Sequence, residues 1–198
     1  MRKIQQRAKD TQRRILNAAT KLFAANGYAG TTVDEIAYEA KANKQRIYAY
    51  FGSKQKLFES VIMKLFQDVD LFSDERMKEC PPEELSRRLL EGFMKVHVEH
   101  PEFWRLLAWI NLDSSVQVEN LVEARSHENA ATREIFVRGL NAGAIRPMEF
   151  HHYLYALLAM SWFYFSNHRT LAYTLSPELY DEAGRDNLIS EVAALFKP

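Results

Sequence analysis

Between Thr32 and Phe51 the chain reads TVDEIAYEAKANKQRIYAYF, a stretch that few folds can accommodate. Thr32 followed three residues later by Glu35 is a capping box, the reciprocal pair that opens a helix. Val33, Ile36, Ala37 and Ala40 then recur on one face at helical spacing. After Lys41 and Ala42, Asn43 supplies a second N-cap. The helix from Lys44 turns Ile47 and Phe51 inward and leaves Lys44, Gln45, Arg46, Ala49 and Tyr50 outward. Two short helices on a tight turn, the second presenting Lys, Gln and Arg in its first turn, are what a helix-turn-helix needs to enter a major groove.

Charge is distributed to match. The formal net charge is zero, but residues 1–60 carry 12 Lys and Arg against 5 Asp and Glu, a net of +7, and residues 61–198 carry 14 against 21, a net of −7. Such asymmetry points to a polyanion meeting the first part and not the second. Arg2, Lys3, Arg7, Lys9, Arg13 and Arg14 form a basic arm suited to phosphate contact. The single cysteine, Cys80, excludes an intrachain disulfide framework, and no Cys/His spacing suggests structural zinc. Met1-Arg2-Lys3 is not followed by an apolar run, so no signal peptide is read and a cytoplasmic protein is expected.

The rest of the chain is helical in pattern. A helix from about Asp10-Thr11 carries Ile15, Ala18, Ala19, Leu22 and Phe23 on one stripe and ends at Asn26-Gly27. After Gly52 and the cap Ser53, a long helix over 54–72 follows, with a loop at 73–84 around Pro81-Pro82. Further helices are expected over 83–100, over 101–112 (PEFWRLLAWINL, apolar nearly all round and so buried), over 118–140, over 150–168 and over 177–196, with a loop at Asp113-Ser114-Ser115. The apolar part of 150–168 runs from Tyr153 to Phe165, short of the roughly 20 residues a membrane span needs. No strand pattern appears, so the fold class is all-α.

The run F23-A-x-x-G27-Y28-x-x-T31-T32-V33-x-x-I36-A37-x-x-A40, continuing through I47-Y48-A49-Y50-F51-G52-S53-K54-x-x-L57, resembles the N-terminal domain of TetR-family (tetracycline-repressor-like) transcriptional regulators. The match holds one ungapped register over roughly residues 10–62. Three positions depart from the family pattern, with Lys41 in place of Gly, Asn43 in place of Ser and Gln45 in place of Gly. A left-handed Lys41 costs about 1–2 kcal/mol, unless the turn takes another conformation.

The resemblance implies a three-helix DNA-binding domain over 1–53 and a helical bundle over 54–198 for effector binding and dimerisation. Lys44, Gln45 and Arg46 fall where the family reads base edges, and Thr32, Tyr48, Tyr50 and Lys54 where it holds phosphates. The partners implied are double-stranded DNA, a small-molecule effector and a second copy of the chain, joined through 150–168 and 177–196. The helix over 54–72 then reads as the link through which an effector alters the spacing of the recognition helices. Repression relieved by ligand is the family's commonest mode.

Aromatic and histidine side chains exceed what the second half needs for packing. Candidates to line an effector pocket are Phe93, His97, Trp104, Trp109, Asn111, His127, Tyr155 and Trp162, with Phe103, Tyr153 and Tyr164 beside them. No metal site is expected, since His97 with His100 and His151 with His152 lack converging further ligands. No nucleophile motif, zinc-protease motif or phosphate loop is present, so neither an enzyme nor a cofactor is expected. A helical adaptor using its helix-turn-helix for protein contacts is the alternative, and a small-molecule enzyme in the second half is a third reading.

Overall fold

The first 26 residues contain neither Gly nor Pro, so nothing in them stops a helix once its apolar stripe is anchored. In the computed structural model, which describes residues 2–68, 75–113 and 121–198 and the side chains of 5–68, 77–113 and 129–198, helix α1 runs Arg2–Asn26. It therefore begins about eight residues before the expected start at Asp10-Thr11. Gln6 donates to Asp10 Oδ1 at 3.3 Å and Thr11 Oγ1 to the Arg7 carbonyl at 2.8 Å, so the basic arm is helical rather than extended.

Contacts divide the chain into two units, Met1–Val69 with Glu102–Ala124, and Asp70–Pro101 with Arg125–Pro198. The first contains α1, α2 (Val33–Glu39), α3 (Lys44–Phe51) and α4 (Lys54–Asp68). Its core is Ile15, Ala19, Phe23, Ile36, Ile47, Leu57 and Val61, with Phe23 edge-on to Phe58 at 5.0 Å and Tyr28 edge-on to Phe58 at 5.3 Å. Residues 69–72 of the expected long helix lie outside the described residues.

The first unit also takes in α7 (Pro101–Leu112). Phe103 meets Phe66 of α4 edge-on at 5.2 Å, and the Trp109 indole N–H donates to the Ala24 carbonyl of α1 at 3.3 Å. Only Phe103 and Leu106 of α7 are buried, and Leu112 is exposed, which corrects the expectation of a helix buried all round. One face of α7 meets α1 and α4, and its density of apolar residues exceeds what that face can cover.

In the second unit lie α5 (Glu75–Glu79), α6 (Leu85–Glu99), α8 (Leu121–Asn141) from Arg125 onward, α9 (Phe150–Ser166), α10 (His168–Thr174) and α11 (Glu182–Ala194). Leu90 and Met94 of α6, Phe136 of α8, Tyr153 and Leu157 of α9, and Ile189 and Val192 of α11 meet in one core. Tyr153, fully buried, satisfies its hydroxyl on Ser86 Oγ at 3.0 Å. The expected loop 73–84 contains α5 and a 3₁₀ turn at Pro82–Glu84, because proline is tolerated at a first helical position; residues 73–74 lie outside the described residues. So do 114–115 of the expected loop after α7 and 118–120 of the expected α8.

The single helix expected over 177–196 is broken. A 3₁₀ turn, Pro177–Tyr180, precedes α11, and Asp181 caps α11 by accepting from the Gly184 N–H at 2.7 Å. The Glu178 carbonyl folds back so closely on Gly184 that a Cβ there would lie 2.0 Å from it. Among the described residues there is no strand, and no helix is long and apolar enough to cross a membrane.

Arg138 of α8 ties α5 down, donating to the carbonyls of Lys78 at 2.7 Å, Met77 at 2.6 Å and Cys80 at 3.3 Å. Bonds from a charged donor stabilise by roughly 1.5–3 kcal/mol each when sheltered, and partial exposure reduces that. Arg138→Ala is expected to cost about 1–2 kcal/mol in thermal unfolding, and Arg138→Lys to recover only part, since an ammonium lacks the planar fork.

Candidate nucleic-acid interface

Helices of seven and eight residues do not persist alone, so α2 and α3 depend on their caps and on the face they bury. Thr32 opens α2 with the full capping box: its hydroxyl accepts from the Glu35 N–H at 3.2 Å, and Glu35 Oε2 accepts from the Thr32 N–H at 2.7 Å. The Thr32 hydroxyl also donates to the same carboxylate at 2.7 Å, which with the backbone bond holds Glu35 below the usual carboxylate range. Just upstream, Gly27 closes α1 at φ +73°. The Trp109 ring carbons lie 2.9 Å from where a Cβ on Gly27 would sit, so backbone angle and close approach both require glycine.

The turn between α2 and α3 is a Schellman motif. The Lys41 N–H donates to the Tyr38 carbonyl at 3.1 Å and the Ala42 N–H to the Ala37 carbonyl at 2.9 Å. Lys41 occupies the left-handed position at φ +48°, the one non-glycine residue with positive φ among the described residues. Arg14 of α1 reaches this turn, its Nη1 donating to the carbonyls of Ala40 at 3.0 Å and Lys41 at 3.3 Å. Asn43 then caps α3, Oδ1 accepting from the Arg46 N–H at 2.8 Å, and Ile47 is buried completely. Gly52 ends α3, and Ser53 caps α4 by accepting from the Lys56 N–H at 3.1 Å.

This frame presents Lys44, Gln45 and Arg46 together as exposed side chains of the first turn of α3. Lys44 is engaged within the fold. Its ammonium pairs with Asp34 of α2 at 2.8 Å, and that hydrogen bond raises its pKa. Tyr48 is exposed, while Tyr50 is half-buried edge-on to Phe51. Lys54 lies over the Tyr28 ring at 4.2 Å; burial lowers its pKa, opposed by the charges of Asp113 and Glu35. The sequence points to Arg14 only as a phosphate contact and does not single out Asp34, because only the folded turn brings them to Lys41 and Lys44.

The residues read as lining a pocket are scattered. Trp104, Trp109 and Asn111 stand on α7 in the first unit. There Trp104 stacks under Arg105, Trp109 is bonded to α1, and Asn111 donates to the Leu107 carbonyl at 2.9 Å. Phe93, His97, Tyr155 and Trp162 stand in the second unit. Phe93 belongs to the core, Tyr155 is 75 % exposed, and His97 is buried against Phe165 with ring centroids 5.4 Å apart. Among the described residues nothing hydrogen-bonds His97 Nδ1 or Trp162 Nε1, though both atoms are buried. His127 belongs to α8, with its side chain outside the described residues. No group of three or more His, Cys, Asp or Glu residues suited to a metal ion occurs among the described residues.

Known proteins share both the motif and the bundle. The model of bacterial regulatory proteins of the tetR family matches residues 15–61, and that of the tetracyclin repressor-like C-terminal domain matches 82–194. The chain belongs to the TetR family of transcriptional regulators. It is 31% identical over 195 residues to the HTH-type transcriptional repressor NicS of Pseudomonas putida, across 96% of this chain and 92% of that protein. It is 34% identical over 155 residues to the HTH-type transcriptional repressor SCO4008 of Streptomyces coelicolor, across 76% of each. The crystal structure of the TetR-family regulator PfmR from Thermus thermophilus shares the fold, with a TM-score of 0.66 at 23% identity over 92% of this chain and 96% of that one.

The caps of this TetR-family motif are testable singly. Asn43→Ala is expected to remove about 1 kcal/mol from α3, speeding exchange of the Arg46 amide about fivefold, while Asn43→Ser leaves it near the parent rate.

Proposed function

We propose that this chain is a ligand-responsive repressor that binds a palindromic operator as a homodimer, with DNA reading confined to residues 1–53 and effector binding and dimerisation to 54–198. The observation that carries the reading is the outward face of α3, where Lys44, Gln45 and Arg46 stand exposed on a doubly capped helix. Lys and Arg suit guanine O6 and N7, and Gln suits adenine. Tyr48, Tyr50, Thr32 and Lys54 serve phosphates around that face; the Thr32 hydroxyl does so from within its capping box and Lys54 from its seat on Tyr28. NicS and SCO4008 are named repressors, which favours repression as the sign of control.

One eight-residue recognition helix reads few base pairs, so affinity requires two of them about one turn of DNA apart or a multiple of it. Exposed Tyr155 and Phe163 on α9 and Leu195 beyond α11 are apolar surface that a second copy would cover, in agreement with dimerisation through these two helices. The unpartnered His97 Nδ1 and Trp162 Nε1 are the polar anchors we assign to the effector, a molecule with an apolar body and at least one hydrogen-bonding group. An effector that favours one arrangement of the dimer shifts the population away from the groove-matched spacing and releases DNA.

Selection of bound duplexes from fragmented genomic DNA, repeated with candidate metabolites, tests the whole reading; no enriched palindrome would overturn it. On the recovered duplex, Lys44→Ala and Arg46→Ala are each expected to lose about 1–3 kcal/mol of operator binding if they contact bases. Binding at parental strength would refute those two assignments, and affinity insensitive to salt would favour an adaptor over a DNA reader.

His97 supplies a second check. Burial pushes its pKa down from 6.5 to about 4. The unfolded chain therefore takes up a proton between those values that the folded chain does not. This part of the stability is present in full above pH 6.5 and is lost as pH falls toward 4, on the order of 3 kcal/mol across the window. His97→Phe is expected to flatten that segment of the stability profile, measured by denaturant unfolding from pH 7 to pH 4, and to weaken the effector response.

A further inference from the structure

Lys41 stands in a left-handed backbone position that favours glycine, and the compensation comes from outside the turn. Arg14 Nη1 is shared between the Ala40 and Lys41 carbonyls, the last groups of α2 and of the turn. Its Nη2 lies 3.5 Å from Thr11 Oγ1, and the buried Thr11 is itself fixed by donating to the Arg7 carbonyl at 2.8 Å. The guanidinium is thus aimed by α1, and its positive charge meets the carbonyl end of α2, where a cation is favoured. An open depression of about 380 Å³ lies beside this contact, with Arg14, Lys21, Glu39 and Lys41 and the buried Ala18 and Ala40 in its lining. Two polar links join α1 to the end of α2 there: the Arg14 bonds to the Ala40 and Lys41 carbonyls and the Lys21–Glu39 ion pair at 2.7 Å.

We propose that Arg14 is a positioning residue for operator recognition: it clamps the left-handed turn at Lys41 and so fixes the direction in which α3 leaves α2. This rests on the reading of α3 as the DNA-recognition helix. It also withdraws Arg14 from the basic arm's phosphate contacts. Shortly after Lys41 the base-reading side chains begin, and a rotation of the turn displaces all of them together.

The test is a double-mutant cycle in the full-length chain, with Arg14→Ala made beside Lys41 and beside Lys41→Gly. Two readouts are used: amide exchange at Lys41 and Ala42, and affinity for the duplex selected by the parent protein. With Lys41 present, Arg14→Ala is expected to speed exchange at both amides and to weaken duplex binding, each about tenfold, the size of one charge-assisted hydrogen bond. In the Lys41→Gly background both losses shrink to about threefold or less, because glycine holds the left-handed turn unaided. The slope of log affinity against log salt stays at the parental value. Equal losses in both backgrounds, with a slope shallower by about one, would make Arg14 a phosphate contact and overturn the proposal. So would unchanged exchange at Lys41 and Ala42. Should Arg14→Ala fail to fold, Arg14→Lys, which keeps the charge and loses the fork, takes its place in the cycle with the same criteria. If the parent protein selects no duplex, the reading of α3 fails by itself, and the exchange cycle alone decides whether Arg14 holds the turn.

Discussion

Everything that α3 presents depends on the backbone at Lys41, where φ is +48° and two hydrogen bonds close a Schellman turn. Neither α2 nor α3 is long enough to be stable alone, so their mutual angle is set by the turn and by the apolar residues each buries. Ile36, Ala37 and Ala40 from one helix and Ile47 from the other are those residues. The turn adds the constraint on the direction in which α3 leaves α2, beside the packing of α3 on α1 and α4. A recognition helix must place several side chains on base edges at once, so a few degrees of freedom at one residue decide whether it can.

The basic surplus of the first 60 residues is less free than its count implies. Lys44 holds Asp34 at 2.8 Å, Lys21 holds Glu39 at 2.7 Å, Lys54 rests over Tyr28, and Arg14 is committed to two carbonyls. Exposed pairs of this kind are weak and screened by solvent, so they exchange readily. The Asp34 partner nonetheless holds the Lys44 ammonium on the α2 side of α3. The net charge of +7 therefore describes both an electrostatic attraction and an internal scaffold built from the same residues.

Local chemistry made the motif legible in the sequence. Capping needs only a side chain and backbone groups two or three residues away, so Thr32 with Glu35, Asn43 and Ser53 announced their helices without tertiary help. The left-handed cap at Gly27 was legible for the same reason. What could not be read were partners brought in by the fold. Composition alone says that α7 is apolar all round; only packing shows that Trp109 serves α1 and the Gly27 turn while Leu112 is left to solvent. The helix start expected near Asp10-Thr11 falls short of the observed one at Arg2, because helix propagation continues once a nucleus exists. The break before α11 is a 3₁₀ turn followed by a new cap at Asp181, and the apolar period of 188–196 does not register it.

The second unit poses the opposite problem, since its interior contains polar atoms with no hydrogen-bond partner among the described residues. A buried donor or acceptor without a partner costs about 1–3 kcal/mol, and His97 Nδ1 and Trp162 Nε1 are two such atoms on helices that pack together, α6 and α9. Burial keeps the imidazole neutral, so the cost is that of a missing hydrogen bond and not of a buried charge. Phenylalanine at either position would remove the cost outright if packing were the only requirement. In the function proposed above, a hydrogen-bonding effector offsets it instead, and does so only in the conformation where the two atoms stay buried. In that proposed mechanism the differential between the two conformations supplies the coupling free energy between effector and operator, with a specificity for one ligand over another that apolar packing alone would not match.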